Sequence, residues 1–253
     1  SIPAFQFTKT KGSISLQDST VIPKGFFSAT TPDMATLKQL ELLPQPAAMS
    51  YPVGGIPSAI SALPGIGSAG ALAATFASSV AGFSPAFIPG QSGFLESAKL
   101  QSPISIVGPS RIKVRVASTT GQATLFFSLV SRTPSGAINQ PNGIVAPIKI
   151  SDIPEGGRDI TVDLPSVILD AAVGDSLAIG ISSTDQGYEL PKSPAFYSVT
   201  ALSPLEYSVM DVKSVTGGGA LWLWPILALL ALLLAIAFIY LRRPQHSDEI
   251  KEE

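Results

Sequence analysis

The chain has 253 residues, no cysteine, a formal net charge of -2 and only 13% charged residues. Without cysteine it forms no disulfide and no thiolate metal site, and its near-neutral charge with scattered Lys and Arg excludes a nucleic-acid-binding role. The 22 glycines and 22 prolines favour strands and turns over long helices, so the composition predicts a mainly β fold. Because the sequence opens with Ser1 and has no apolar targeting stretch there, we expect an N-terminus from which an export signal has been removed.

Short alternating runs separated by turn residues predict an antiparallel β-sandwich or jelly roll over residues 96–213, joined by N-terminal strands from residues 1–41. The clearest run has the period of a strand with one buried and one solvated face. Its apolar residues are Ile112, Val114 and Val116, and its basic residues are Arg111, Lys113 and Arg115. Further strands are predicted at residues 123–130, 144–150, 158–164, 176–182 and 195–202. The expected buried core includes Ile112, Val114, Phe126, Leu177 and Ile179.

Residues 42–95 form a stretch of 54 residues without a single charge, rich in Gly, Ala, Ser and Pro. A loop exposed to water would be expected to carry some charge. The stretch is therefore predicted either to lie on the β domain as a low-complexity loop or to rest against lipid or another subunit. Pro57, Pro64 and several glycines argue against a second membrane span. Its candidate contact residues are Ile56, Leu63, Leu72, Phe76 and Phe83.

A second apolar run, at residues 220–241, predicts a single membrane-spanning helix. It has 22 residues without a charge, enough for an α-helix to cross a hydrocarbon core of ~30 Å. Residues typical of the membrane–water interface stand at its two ends, namely Trp222, Trp224, Tyr240, Arg242 and Arg243. The arginine pair predicts a cytoplasmic tail at residues 242–253. The β domain is then expected outside a bacterial plasma membrane, linked to the helix by a Gly-rich hinge at residues 214–219.

Several turns and strands of the β region resemble the C-terminal non-catalytic β domain of the X-Pro dipeptidyl-peptidase and cocaine-esterase type of serine hydrolases. The matching features are Pro134-Ser135-Gly136, Leu164-Pro165, Val173-Gly174-Asp175 and Ser182-Ser183-Thr184-Asp185. The likeness covers residues 2–27 and 103–202, and residues 2–7 look like the linker that leaves the hydrolase domain in that family. The resemblance implies a jelly-roll-like domain that has no catalytic residues of its own.

The catalytic set of those hydrolases does not carry over to this sequence. Their chemistry needs a nucleophilic Ser on a G-x-S-x-G turn, an Asp and a His. This sequence contains no G-x-S-x-G, and its single histidine, His246, follows the predicted membrane helix. A Ser-His-Asp triad is excluded in the external part, so we predict no catalytic residue and no enzyme activity.

No cofactor or metal is predicted either. Gly65, Gly67 and Gly70 match G-x-G-x-x-G, but no strand-to-helix pattern frames them, so a Gly-rich loop is the better interpretation. Four acidic residues surround one turn without the ligand spacing of a calcium loop, so a solvated turn is favoured there. They are Asp152, Glu155, Asp159 and Asp163.

Two groups of polar residues remain as candidate partner contacts. The stripe Arg111, Lys113 and Arg115 is interpreted first as a solvated strand face and second as a docking site for anionic headgroups or an acidic partner. Asp185 and Tyr188 lie in a polar loop that, by the resemblance, is close to the hydrolase partner. Asp185 can also serve simply as a turn cap.

These observations favour a non-catalytic, membrane-anchored accessory subunit whose external β domain docks on or stabilises a larger respiratory, transport or envelope complex. Its expected partners are membrane lipid and other membrane subunits, with no small-molecule ligand. One alternative is a peptide- or glycan-binding module, for which Tyr188 and Tyr197 would have to lie exposed on one face. Another is the C-terminal domain of an X-Pro peptidase- or esterase-like hydrolase that has lost its catalytic domain.

The predicted topology can be tested with a protease added to intact cells from which the outer wall has been removed. Because the arginine pair follows the apolar run, the protease should digest the β domain and leave an epitope in residues 242–253 protected. Detergent-permeabilised cells serve as the control, in which the epitope should be lost as well. Recovery of an intact external domain from unpermeabilised cells would contradict the orientation.

Overall fold

The computed structural model describes residues 5–14, 21–29, 36–52, 59, 86–189, 193–209 and 213–214. No helix in this part of the chain has both the length and the apolar character needed to span a bilayer. The predicted membrane helix at residues 220–241, with its interface residues and the cytoplasmic tail, lies outside the described residues. The same holds for the five candidate contacts chosen in the uncharged stretch, Ile56, Leu63, Leu72, Phe76 and Phe83.

The described residues form fourteen strands and one 3₁₀ turn at Pro141–Gly143, so the fold is mainly β, as predicted. The first seven strands are β1 Phe5–Ile14, β2 Val21–Ala29, β3 Thr36–Leu40, β4 Ala47–Tyr51, β5 Ser92–Glu96, β6 Ile104–Ser118 and β7 Ala123–Arg132. The other seven are β8 Ile138–Asn139, β9 Ala146–Ile150, β10 Arg158–Ala171, β11 Ser176–Ser182, β12 Ala195–Ala201, β13 Leu205–Val209 and β14 Lys213–Ser214.

Eight of these strands pair as one long antiparallel ribbon folded back on itself. β7 pairs with β9, β6 with β10, β5 with β11 and β4 with β12, so each pair lies inside the next along the chain. The ribbon divides between two sheets. Sheet 1 has the order β4-β12-β6-β10, and sheet 2 has the order β5-β11-β7-β9. This nested order over two antiparallel sheets is that of a jelly roll.

Additional strands extend both sheets. β13 pairs with β6 beyond the end of β12, and β3 pairs with β13, so sheet 1 has six strands. The short β8 pairs with the end of β7 in sheet 2. A separate three-stranded sheet has the order β1-β2-β14, and in it the main chain of Lys213 and Ser214 pairs with β2.

One apolar core lies between sheets 1 and 2 and contains residues from both. In β6 the predicted alternation is confirmed: Ile112, Val114 and Val116 are at most 1% exposed, while the intervening basic residues are exposed. Leu177 and Ile179 of β11 face them from sheet 2 and are fully buried, as expected. Burial of such side chains stabilises the fold by about 1.5–3 kcal/mol each.

Two features of the strands differ from the sequence-based expectation. The boundary drawn at residue 96 does not separate the sandwich from the uncharged stretch, because β4 and β5 lie within residues 42–96 and belong to sheets 1 and 2. β10 also continues past Leu164, where the sequence had suggested an end at the Leu-Pro pair. The pairing of β10 with β6 shifts register between Leu164 and Val167, and this bulge accommodates Pro165, which has no N–H to donate.

The packing predicts which phenylalanines stabilise the domain. Phe126 and Phe127 of β7 are at most 1% exposed, whereas Phe196 of β12 is 69% exposed. Replacing Phe126 or Phe127 by Ala should lower the free energy of unfolding by ~3–5 kcal/mol, because each change leaves a cavity. The matched control, Phe196→Ala, should cost under ~0.5 kcal/mol.

The free energy of unfolding is measured by denaturant titration of the full chain in mild detergent, with far-UV circular dichroism as the signal. A loss under ~1 kcal/mol for Phe127→Ala would mean that the inward face of β7 is not the core described above.

Candidate functional site

The outer face of sheet 2, turned away from the core, is also covered by protein. On β7 it carries Phe126, Ser128 and Val130, all at most 1% exposed, and on β11 it carries Ala178 and Gly180. The core-facing residues of β7 are Leu125, Phe127 and Leu129. Phe126 is buried, as predicted, but on the outer face of its strand. The outer face therefore needs a second apolar layer.

Phe87, from the segment before β5, forms part of that layer. Its ring lies over Gly180, where a Cβ atom would come within 2.4 Å of the ring carbon Cε1. The ring also packs against Phe94, with ring centroids 5.0 Å apart. Gly180 is needed here because its missing side chain lets the ring approach the sheet.

An ion pair closes one end of this covered face. Arg132 Nη1 lies 2.6 Å from Glu96 Oε2, and the Ser176 hydroxyl donates a hydrogen bond to the same carboxylate. The guanidinium carbon of Arg132 stands 4.7 Å above the centre of the Phe94 ring, a cation–π contact. Sequence reasoning missed this cluster, although Glu96 is the first charged residue after the uncharged stretch.

The polar loop after β11 is buried at its start. Ser182, Ser183, Thr184 and Asp185 are each at most 3% exposed. The Ser182 hydroxyl donates to the Thr184 carbonyl at 2.7 Å, and the Ser183 hydroxyl donates to the Ser50 carbonyl of β4 at 2.7 Å. These hydroxyls are buried at little cost because they are hydrogen-bonded, and the bonds fix the loop to its neighbours.

The second half of the loop reaches the surface. Asp185 Oδ1 accepts a hydrogen bond from the Gly187 N–H at 2.8 Å, which is the turn-capping geometry considered for this residue. Tyr188 is 45% exposed, and its ring centroid lies 5.2 Å from that of Phe126. The loop thus presents one aromatic side chain at a fixed position, because the ring rests on a buried strand residue and the loop beneath it is hydrogen-bonded.

The basic stripe on β6 is solvent-exposed, but its charges are balanced by β10. Arg115 donates to both carboxylate oxygens of Asp159, at 2.6 and 3.0 Å, and Arg111 pairs with Asp163. The hydrogen bond from Arg115 lowers the pKa of Asp159, and the same bond raises the pKa of Arg115. Lys113 lies opposite the uncharged Thr161. Because the arginines are paired, the stripe offers little net positive charge to an anionic surface.

The acidic turn does not form a metal site in the described structure. Asp159 and Asp163 are instead paired with arginines across the strand pair, Asp159 with Arg115 and Asp163 with Arg111. No group of three or more His, Asp or Glu side chains within the described ranges could hold a metal ion. The G-x-G-x-x-G match at residues 65–70 lies outside those ranges.

Of the two tyrosines on which glycan binding would depend, only Tyr188 is exposed. Tyr197 is 3% exposed and faces the core, and burial raises its pKa, with the neighbouring Tyr51 as a smaller cause. The exposed aromatic residue of β12 is instead Phe196, one position earlier. The alternation of β12 could have indicated this, since Ala195, Tyr197 and Val199 share its buried face.

Comparison with known proteins identifies one family and several solved structures. Residues 89–195 match the family described as the X-Pro dipeptidyl-peptidase C-terminal non-catalytic domain. No curated protein sequence matches the chain.

Similar solved structures include an aminopeptidase from a marine sediment archaeon, Thaumarchaeota archaeon, with 9% identity and a TM-score of 0.45 over 70% of this chain and 34% of that one. A CocE/NonD family hydrolase from Staphylococcus aureus has 11% identity and a TM-score of 0.44 over 75% and 39% of the two chains. An α-amino acid ester hydrolase has 13% identity and a TM-score of 0.33 over 49% and 26%. The chain thus spans at most 39% of the length of these three proteins.

Proposed function

We propose that the chain supplies the non-catalytic β domain of a peptidase or esterase, because residues 89–195 match the family described as the X-Pro dipeptidyl-peptidase C-terminal non-catalytic domain. The family match carries this proposal. The matched residues include β5 to β11 and the first residue of β12, and thus six of the eight strands of the jelly roll in full. The chemistry then belongs to a hydrolase domain on which this β domain packs.

The polar loop is our candidate for the contact with that hydrolase domain. Its surface half exposes Gln186 and Tyr188, while its buried half is hydrogen-bonded to β4 and to the turn before β5. A partner would therefore meet a preformed surface and lose little conformational entropy in ordering it. A partly exposed aromatic ring on a rigid base has the chemistry of an interface anchor.

We further propose that residues 220–241 tether this domain to the outer face of a plasma membrane, with residues 242–253 in the cytoplasm. The support is the uncharged run of 22 residues and the arginine pair after it. An accessory role in a larger respiratory, transport or envelope complex is the second candidate. It rests on the same run and on the uncharged stretch at residues 42–95.

A co-precipitation experiment tests the proposed function. Native membranes are labelled with a fluorophosphonate, solubilised in mild detergent and precipitated through an epitope tag on the chain. We expect one fluorophosphonate-reactive hydrolase, either as a separate subunit or within the polypeptide that carries this domain. If the hydrolase is separate, Tyr188→Ala should reduce its recovery at least about tenfold, as for an interface anchor worth over 1.4 kcal/mol, whereas the control Phe196→Ala should not.

Two results would count against the proposal. A precipitate that contains stoichiometric membrane partners but no fluorophosphonate-reactive protein would favour the accessory-subunit candidate instead. Labelling of a serine within this chain when it is purified alone would show that the domain is itself catalytic.

A further inference from the structure

Ala59 belongs to the uncharged stretch and lies between β4 and β5 in the sequence. Its main-chain N–H and carbonyl both form hydrogen bonds with the polar loop. Its N–H donates to Thr184 Oγ1 at 3.0 Å, and its carbonyl accepts the N–H of Gln186 at 2.8 Å. The residue is 1% exposed, so its methyl group is enclosed as well. The loop thus binds the N–H and the carbonyl of a single buried alanine.

The residues that receive Ala59 are preorganised. The Thr184 hydroxyl donates to Gln91 Oε1 at 3.1 Å, which directs a lone pair of the same oxygen toward the N–H of Ala59. The main chain of Gln91 in turn accepts the N–H of Ser183 at 2.9 Å. Gln91 is itself 6% exposed and immediately precedes β5.

This chain of hydrogen bonds joins two points that are far apart in sequence. Ala59 follows β4 by eight residues, and Gln91 comes directly before β5, so Thr184 connects a residue soon after β4 with the residue that precedes β5. The hydrogen bonds of Ala59 and Gln91 therefore attach two distant positions of the sequence to the same threonine.

We propose that Thr184, Gln186 and Gln91 form a latch, a binding site for one small residue, and that Ala59 is its occupant and is thereby fixed to the β domain. The main-chain bonds hold whatever residue is present, while the enclosure of the side chain restricts the site to Gly, Ala or a residue of similar size. The latch concerns contacts within the chain, so it can fail or hold independently of any hydrolase partner.

Amide hydrogen exchange of the purified full chain in mild detergent tests the latch. Thr184→Val keeps the shape of the side chain and removes the acceptor for the Ala59 N–H, and Ala59→Leu overfills the site. Both should accelerate exchange of the Ala59-position and Gln186 amides at least about tenfold, because opening the latch frees both hydrogen bonds. The matched control is Thr161→Val, a change of the same chemistry on the exposed face of β10.

Ala59→Gly keeps both main-chain bonds and should leave the Gln186 amide protected to within about threefold of the wild-type rate. Exchange in β7 and β11 should stay at the wild-type rate in every variant, which shows that the sandwich remains folded. Wild-type protection of Gln186 in both Thr184→Val and Ala59→Leu would refute the latch. Equal acceleration by Ala59→Gly and Ala59→Leu would refute its selection for a small residue.

Discussion

β11 is buried on both of its faces, and much of the remaining structure follows from that constraint. All seven residues from Ser176 to Ser182 are buried. One face packs into the core between the sheets through Leu177, Ile179 and Ile181, as in any sandwich. The other face must be covered by something beyond the two sheets, because apolar and small residues there would otherwise meet water.

The cover consists of segments that lie before β5 and after β11 in the chain. Phe87 lies over Gly180, and Tyr188 lies over Phe126. The small residues of β11 make this possible, since Ala178 and Gly180 leave room for rings from the covering layer. The candidate contact loop is thus the continuation of a buried strand, and Tyr188 serves both as cover and as surface.

The lack of charge in residues 42–95 also has a physical explanation in its described parts. β4 contributes Ala47, Met49 and Tyr51 to the core, and Phe87 contributes to the second layer, so a charge at these positions would be buried without a partner. The polar groups that bond to Ala59 within the polar loop are the Thr184 hydroxyl and the Gln186 main-chain N–H. A part of the uncharged stretch therefore belongs to the β domain itself.

The sequence predicted those features that depend on local pattern. The alternation of Ile112, Val114 and Val116 defined both faces of β6, and the run Ser176–Ser182 was predicted with the bounds that the structure has.

Features that depend on contacts between residues far apart in the sequence were not predictable from local pattern. Asp159 neutralises Arg115 from 44 positions away. Phe126 and Phe127 are adjacent apolar residues, and a run with no alternation cannot indicate which of them faces the core. β4 and β5 were missed because neither alternates polar with apolar residues clearly enough to stand out from the Gly- and Ser-rich sequence around it.

Coverage of the outer face of sheet 2 by the chain's own Phe87 is tested most directly by a double-mutant cycle between Gly180 and Phe87. Gly180→Ala places a methyl group against the Phe87 ring and should destabilise the domain by ~1–3 kcal/mol, as overpacking does. In a Phe87→Ala background the methyl group has room, so the same change should cost under ~0.5 kcal/mol. If the two changes are instead additive to within ~0.5 kcal/mol, the Phe87 ring does not cover β11.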